Sequence, residues 1–174
     1  MKMKLKILVM SLLMFSGLKV NAQMDDFIQL VTAATQAPSG HNSQPWLFEI
    51  GTNEITILPN FSRELPAVDP SHREFFMSLG CALENLCIKA SSLGYATQVN
   101  ISQEGIIKVG LQKSEAVRTD LLSEYITKRQ TNRSVYDGKL IPEAVLKNLS
   151  KDFNSDKVSI QIFDKNTEAF GQLT

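Results

Sequence analysis

The segment Ala37–Trp46, with the sequence APSGHNSQPW, concentrates residues that shape the backbone and residues that form hydrogen bonds. Pro38 and Pro45 fix their own φ angles and restrict the residue before each of them. Gly40 permits close approach of the backbone, and the polar side chains between the prolines offer donors and acceptors. This composition suits a rigid polar cradle for a planar ligand with many heteroatoms. The residues alone favour the alternative, a loop tied to itself by Asx and Ser turns.

A second candidate segment is Arg129-Gln130-Thr131-Asn132-Arg133. On an extended backbone, Arg129, Thr131 and Arg133 point to the same side. Arginine forks bind phosphate oxygens in a bidentate manner, and a threonine hydroxyl adds a further donor. A phosphate monoester is therefore the natural ligand. The alternative is a solvated basic segment that follows the end of a helix, and the spacing does not decide between the two.

Other kinds of catalytic chemistry find little support in the sequence. Ser39 and His41 are two residues apart in a loop, and no G-x-S-x-G elbow is present. Cys81 and Cys87 fall six residues apart in one predicted helix, about 9 Å along its axis, which is too far for a disulfide. Neither His41 nor His72 has metal-ligand spacing to these cysteines. The sequence thus predicts no catalytic nucleophile and no metal site.

The stretch Asp69-Pro70-Ser71-His72-Arg73-Glu74 precedes the longest helical pattern. Ser71 followed three residues later by Glu74 predicts a capping box at the start of that helix. The alternative is that His72 contacts a ligand. Asn85 lies in the same mostly apolar helix, where it either satisfies a neighbouring segment or faces a ligand.

Periodicity predicts the elements that position these segments. A helix is expected from Asp25 or Asp26 to Pro38, and a long central helix is expected over Phe75–Ala90 with a stop at Leu93-Gly94. The remaining predictions are strands at Trp46–Ile50, Glu54–Leu58, Tyr95–Ile101, Ile106–Leu111 and Val158–Phe163, and helices at Ala116–Lys128 and Glu143–Leu149. This order predicts an α+β fold with an antiparallel-rich sheet. The pattern at the C-terminal end suggests the start of further structure.

The first 22 residues have the pattern of a secretory signal peptide: an early basic stretch, a short apolar run and small residues before Gln23. Residues 1–22 contain four lysines and no acidic residue, so the remaining chain has a formal charge of −4. This charge offers no basic footprint for nucleic acid or anionic membrane. We therefore expect an exported protein, periplasmic or secreted, that is cleaved after Ala22.

PSGHNSQPW resembles the PSS-x-N-x-QPW signature of FMN-dependent nitroreductases, and Arg129-x-Thr131-x-Arg133 resembles the R-x-S-x-R motif of that family. The long helix, with its SLGCALENL sequence, is similar to the two-domain Acg-type branch. The resemblance covers residues 24–174. It implies a nitroreductase-like fold in which two halves of one chain form a pseudo-dimer. Residues 23–128 would be the first half, and residues 129–174 would open a second half whose remainder, or a second chain, completes the site.

The resemblance also implies chemistry. NAD(P)H would deliver a hydride to FMN, and a nitroaromatic or quinone acceptor would then take it. Pro38, Ser39, Gly40 and Asn42 would contact the isoalloxazine, with His41 in the same cofactor-binding loop, where Gly-His replaces the usual Ser-x pair. Arg129, Thr131 and Arg133 would hold the phosphate. The rival functions are a flavin-sequestering protein without turnover and an inactive remnant.

Overall fold

The computed structural model describes residues 22–151, 160–163 and 167–172. The chain divides into two compact units, one up to Gln130 and one from Thr131 onward. The first unit begins with helix α1, residues 22–35, and its other regular elements are β1 (Trp46–Ile50), β2 (Glu54–Pro59), α2 (Arg73–Ser92), β3 (Tyr95–Ile101) and β4 (Ile107–Lys113). Short 3₁₀ helices cover Gly40–Asn42, Phe61–Arg63 and Leu121–Glu124. In the second unit, α3 covers Glu143–Lys151 and α4 covers Glu168–Gly171.

The four strands form one antiparallel sheet in the order β1-β2-β4-β3. Alternation of apolar residues places one face of this sheet against the helices, because successive side chains of a strand point to opposite faces. Val109 of β4 lies between Ile55 of β2 and Val99 of β3. The α+β class, the antiparallel sheet and the two predicted hairpins are confirmed.

Helix α2 is the central helix of the first unit, as its nearly continuous apolar pattern predicts. Leu79 and Leu86 are almost completely buried in one cluster with Phe27 and Leu30 of α1. The same cluster contains Ile55, Ile57, Ile107, Val109 and Leu111 from the covered face of the sheet. The core therefore lies between the sheet and two helices, and it fixes the position of the start of α2.

The helix predicted over Ala116–Lys128 is wrong, because only Leu121–Glu124 is helical and as a 3₁₀ turn. The Asp120 side chain accepts a hydrogen bond from the Leu122 N–H at 2.8 Å, a local bond that competes with a regular helix. Ile126 is the residue of this segment that is buried, and it packs with Ala33 and Ile88. Leu121, Leu122 and Tyr125 of the same segment are exposed.

The end of the chain matches the sequence predictions in part. Helix α3 confirms the predicted helix at Glu143–Leu149. Of the strand predicted over Val158–Phe163, residues 158–159 lie outside the described residues and residues 160–163 are not in a strand. The predicted signal peptide falls almost entirely outside the described residues. Within them, no helix is long and apolar enough to cross a membrane.

Candidate functional site

The loop Ala37–Gln44, called the motif loop below, rests directly on the first turns of α2. The Gly40 N–H donates to Ser78 Oγ at 3.1 Å, and the Ser78 hydroxyl donates to the Glu74 carbonyl at 2.7 Å. A Cβ atom added at Gly40 would lie 3.0 Å from Glu74 Oε2 and 3.4 Å from Glu74 Cβ. A side chain at this position would therefore require the Glu74 carboxylate to shift by a few tenths of an ångström, which shows how closely the loop approaches α2.

The motif loop is also tied to itself and to the following turn. Ser39 Oγ accepts from the Gln44 N–H at 3.0 Å, and the Ser43 N–H donates to the Gly40 carbonyl at 2.9 Å. Arg63 Nη1 donates to the Ser43 carbonyl at 3.1 Å. The interpretation of this segment as a loop that is held by its own hydrogen bonds is therefore correct. Such ties also preorganise a binding surface, so the two interpretations are compatible.

Three polar residues of the motif loop have unusual backbone angles. His41, Asn42 and Gln44 have φ angles of 49°, 56° and 52°, in the left-handed region that costs L-residues free energy. The side chains of all three are exposed. The loop therefore holds a strained backbone that presents polar groups to solvent, a combination that is common at binding sites.

The N-terminus of α2 is capped differently from the sequence prediction. Asp69 is buried and accepts a hydrogen bond from the Phe75 N–H at 2.8 Å. The N-cap residue is His72, with φ 56° and no side-chain cap bond, so the predicted capping box with Ser71 is wrong. Burial raises the pKa of Asp69, but the backbone N–H groups of the first turn outweigh it and hold that pKa below its ordinary value.

His72 lies at the edge of an aromatic cluster. Its Nε2 is 2.8 Å from Glu64 Oε2, and its ring packs edge-on against Phe61 and Phe75 at centroid distances of 5.8 and 5.7 Å. Phe61 and Phe75 are themselves stacked at 5.0 Å. These contacts give His72 a structural role, because they hold the turn before α2 in place. The ligand-contact alternative has no observation in its favour.

Arg129 meets the start of the motif loop. Its Nη2 donates to the Gln36 carbonyl at 3.3 Å, across 93 positions of sequence, and Gln36 comes directly after α1 and before the loop. The preceding segment is brought there by the Asp120 N–H, which donates to Ser91 Oγ at 2.9 Å, and by buried Ile126. The structure thus places the first arginine of the second motif beside the residue that precedes the first motif.

The other two residues predicted to bind phosphate belong to the second unit. Thr131 and Arg133 are both exposed there. Of the loop residues predicted to bind the isoalloxazine, Pro38, His41 and Asn42 are exposed and Ser39 and Gly40 are partly buried. Sequence reasoning missed Ser78 and Arg63 as supports of the loop. Ser78 lies in the SLGCALENL stretch, but no local pattern indicates its bond to Gly40, 38 positions earlier.

The described residues contain cavities of different size near these elements. The one that touches the motif loop has a volume of about 10 Å³ and lies among Gly40, Ser43, Arg63 and the start of α2. That volume accepts no more than a water molecule. This cavity therefore does not enclose a ligand of flavin size.

Other residues considered as functional candidates have structural roles. Asn85 Nδ2 donates to the Ala33 carbonyl at 3.1 Å, which satisfies the neighbouring helix. Cys81 and Cys87 are free thiols, and burial raises the pKa of the Cys87 thiol, which disfavours the nucleophilic thiolate. The described residues hold no cluster of three or more potential metal ligands.

Comparison with known proteins gives sequence relatives for part of the chain. A Mycobacterium tuberculosis (strain H37Rv) protein named "Putative NAD(P)H nitroreductase Rv3131" is 29% identical over 119 residues, which are 65% of this chain and 35% of the relative. "Uncharacterized protein Rv3127" of the same strain is 38% identical over 77 residues, 42% of this chain and 22% of the relative. The chain therefore spans about a third or less of the length of these relatives. No protein-family model matches.

Two solved structures align with the chain at low similarity. A crystal structure described as a "Putative NADH Oxidase" from Clostridium acetobutylicum has 16% identity and a TM-score of 0.45, covering 67% of this chain and 89% of that one. A "Putative NADH dehydrogenase/NAD(P)H nitroreductase" from Parabacteroides distasonis has 15% identity and a TM-score of 0.41, covering 64% and 86%. These scores are too low to carry an argument about function. The sequence relatives show a relationship to the nitroreductase family.

Proposed function

We propose that the chain is the first part of an FMN-dependent oxidoreductase of the two-domain Acg-type nitroreductase branch. NAD(P)H is its electron donor, and an electron-poor nitroaromatic or quinone is its acceptor. The proposal draws on the relationship to a protein named as an NAD(P)H nitroreductase and on the two sequence motifs. It includes export of the chain and cleavage after Ala22.

The observation that carries the proposal is the contact between Arg129 and Gln36. It brings the first residue of the arginine motif to the residue before the motif loop, although 93 positions separate them. One guanidinium nitrogen is engaged there, and the guanidinium has further N–H donors in its planar fork. A phosphate beside this guanidinium would belong to a ligand whose other end reaches along the loop.

The residues of the loop fit the ring end of FMN in their chemistry. Asn42 and His41 offer exposed polar side chains, and exposed Pro38 offers a flat apolar surface. Because Ser78, Ser39 and Arg63 hold the loop in place, these groups are oriented before a ligand arrives. When bound, FMN would supply the hydride chemistry. The chain would supply placement, hydrogen bonds and a phosphate anchor.

The proposed site needs a second contributing surface. The cavity at the loop measures about 10 Å³, and the chain covers 35% of the length of a relative. We propose that a second half of the protein or a second chain supplies the opposite wall. Thr131 and Arg133 would provide the remaining phosphate contacts.

The test is titration of FMN into the purified protein, with binding measured as quenching of the flavin fluorescence. We expect Arg129→Ala combined with Arg133→Ala to weaken binding by a few kcal/mol, since charge-assisted hydrogen bonds contribute about 1.5–3 kcal/mol each. Arg118→Ala is the matched control, because it removes an exposed arginine outside the motif. FMN binding of equal strength in the double variant and the control would refute the phosphate assignment.

A second measurement separates an enzyme from a flavin-sequestering protein. NADPH or NADH is added without oxygen to the FMN-loaded protein, and the flavin absorbance is recorded. Bleaching that is reversed by a quinone supports turnover. A stable yellow complex supports sequestration, and a protein that takes up no FMN when the second contributing half or chain is present contradicts both.

A further inference from the structure

A cavity of about 240 Å³, called the interhelix cavity below, lies where α1, α2 and the segment after β4 come together. Its base consists of the buried side chains of Ala33 and Ile126, which pack with Ile88. The segment is held there by the Asp120 N–H, which donates to Ser91 Oγ at 2.9 Å. Because Ile126 is the buried residue that the segment contributes, the groove between the two helices is covered without being filled.

Five polar side chains with free hydrogen-bonding groups line the interhelix cavity. They belong to Gln29, Gln36, Lys89, Ser123 and Thr127. Within the described part of the chain, none of these five side chains makes a hydrogen bond or an ion pair. Small-molecule sites have this composition, in which a few convergent polar groups surround an apolar base and orient the ligand.

Three other cavities lined by described residues of the first unit lack this combination. In the open cleft of about 840 Å³ beside β3, the charged side chains of Asp26 and Lys113 already form an ion pair at 3.1 Å. The cavity of about 340 Å³ near Gly105 has no charged side chain among the described residues of its lining. The cavity of about 10 Å³ at the motif loop is too small for an organic ligand. Of these four cavities, the interhelix cavity alone combines room for a ligand with an unpaired charge.

Lys89 determines which charge the cavity favours. Its side chain is half-buried, and it is the one charged residue among the described residues of the lining. An ammonium group offers three donors and a compact positive charge, and no carboxylate competes for it here. Arg129 bonds to the Gln36 carbonyl and is not among the lining residues. A single positive charge matches a carboxylate better than a doubly charged phosphate.

We propose that the interhelix cavity is a binding site for a small organic carboxylate, separate from the proposed flavin site. The ammonium group of Lys89 binds the carboxylate, and the apolar part of the ligand lies on Ala33 and Ile126. The hydroxyl groups of Ser123 and Thr127 bind polar substituents. The ligand is small, because pockets for drug-sized molecules usually measure about 300–1,000 Å³. This site does not depend on the proposed oxidoreductase function.

The test is an NMR titration of the purified protein with benzoate, a small carboxylate that carries an apolar ring. We expect saturable shifts of the backbone amide signals of Gln36, Lys89 and Thr127. Benzamide has nearly the same shape without the charge, and it should bind at least about tenfold more weakly, because hydrogen bonds to charged groups are the stronger ones. This comparison uses the unmodified protein, so it does not depend on the folding of a variant.

Lys89→Met removes the charge and keeps the length of the side chain, and it should raise the dissociation constant of benzoate about tenfold or more. Lys108→Met is the matched control, because it removes the same charge at an exposed position of β4 outside the cavity. Its dissociation constant should stay within about twofold of the unmodified protein, since salt screens distant surface charges. The amide spectra show whether both variants are folded.

Several results of these titrations would overturn the proposal. They are the absence of saturable shifts at the cavity, equal affinities for benzoate and benzamide, and equal affinities of the two methionine variants for benzoate. Inorganic phosphate that binds as tightly as benzoate would contradict the organic carboxylate as the ligand. Displacement of benzoate by FMN would assign the cavity to the flavin site.

Discussion

The two ends of helix α2 differ in which residues adopt left-handed backbone angles. At the C-terminal end, the helix stops at Ser92 and Gly94 adopts a φ of 72°, the usual role of glycine after a helix. At the N-terminal end, non-glycine residues adopt the left-handed conformation. His72 does so at the cap, and His41, Asn42 and Gln44 do so in the motif loop that packs against the first turns. No other non-glycine residue in the described part of the chain has a positive φ.

This difference separates a structural end from a candidate functional end. Strained backbone persists where the surrounding contacts determine it, and such strain clusters at binding sites. The contacts here are the bonds of Ser78, Ser39 and Arg63 to the loop. At the C-terminal end, glycine occupies the position with a positive φ, as expected for a purely structural helix end. At the N-terminal end, non-glycine residues have positive φ angles, and this strain supports the proposal that the motif loop contacts a ligand.

The largest expected effect comes from separating the motif loop from α2. Gly40→Val places a branched side chain where Glu74 Oε2 lies 3.0 Å from the added Cβ. We expect the free energy of unfolding to fall by about 1–3 kcal/mol, the usual cost of overpacking. FMN binding should weaken at the same time, because a branched side chain at Gly40 disturbs the packing of the loop against Glu74. Urea unfolding and flavin titration measure the two effects.

Gly80→Ala is the control for that variant, because it lies inside α2 and an added Cβ meets nothing within 4 Å. It should raise the free energy of unfolding by about 0.5–1 kcal/mol, since alanine replaces glycine in a helix interior. Equal behaviour of the two glycine variants would contradict the claim that close packing distinguishes the loop end.

The next effect is expected at the C-terminal end, where Tyr95 follows α2. Its hydroxyl donates to Asp26 Oδ2 at 2.9 Å, and Lys113 Nζ lies 3.1 Å from the same oxygen. Tyr95→Phe should lower the free energy of unfolding by about 1–2 kcal/mol, which spans the values for a strong neutral hydrogen bond and for a weak bond to a charged group. It should leave FMN binding unchanged. A loss of FMN affinity would show that the two ends of α2 are not separate in function.

The same residue gives a pH dependence with a definite sign. Burial, together with the bond to Asp26 and its charge, raises the pKa of Tyr95 from 10.0 to about 12. A raised pKa of the folded state means that the stabilisation is complete below pH 10 and is lost as the pH rises toward 12. Unfolding midpoints in this alkaline range should fall more steeply for the native chain than for Tyr95→Phe.

The sequence predicted the scaffold better than the site. Strands β1 and β3 have the predicted bounds, and the stop at Leu93-Gly94 is correct, because periodicity and glycine signals are local. The cap of α2 was missed, since Asp69 acts across six positions and Ser71 matched a familiar pattern. The bond of Arg129 to the Gln36 carbonyl depends on the path of the preceding segment, which the 3₁₀ turn at Leu121–Glu124 and the burial of Ile126 determine. No local sequence pattern predicts that path.

The smallest expected effect tests the strain itself. His41 is exposed with φ 49°, and the left-handed region costs a non-glycine residue about 1–2 kcal/mol. His41→Gly removes that cost but gives the unfolded chain more freedom, which offsets about 0.4–1 kcal/mol. We expect a net gain of up to about 1 kcal/mol in the free energy of unfolding, measured by urea titration.

FMN binding should respond in the opposite direction, because a glycine at position 41 gives the loop freedom that ligand binding must remove. Gly94→Ala is the mirror control. Its φ of 72° suits glycine, so alanine there should cost about 1 kcal/mol and leave FMN affinity unaltered. A stability loss in His41→Gly similar to that in Gly94→Ala would mean that the loop backbone is not strained. The contrast between the two ends of α2 would then rest on packing alone.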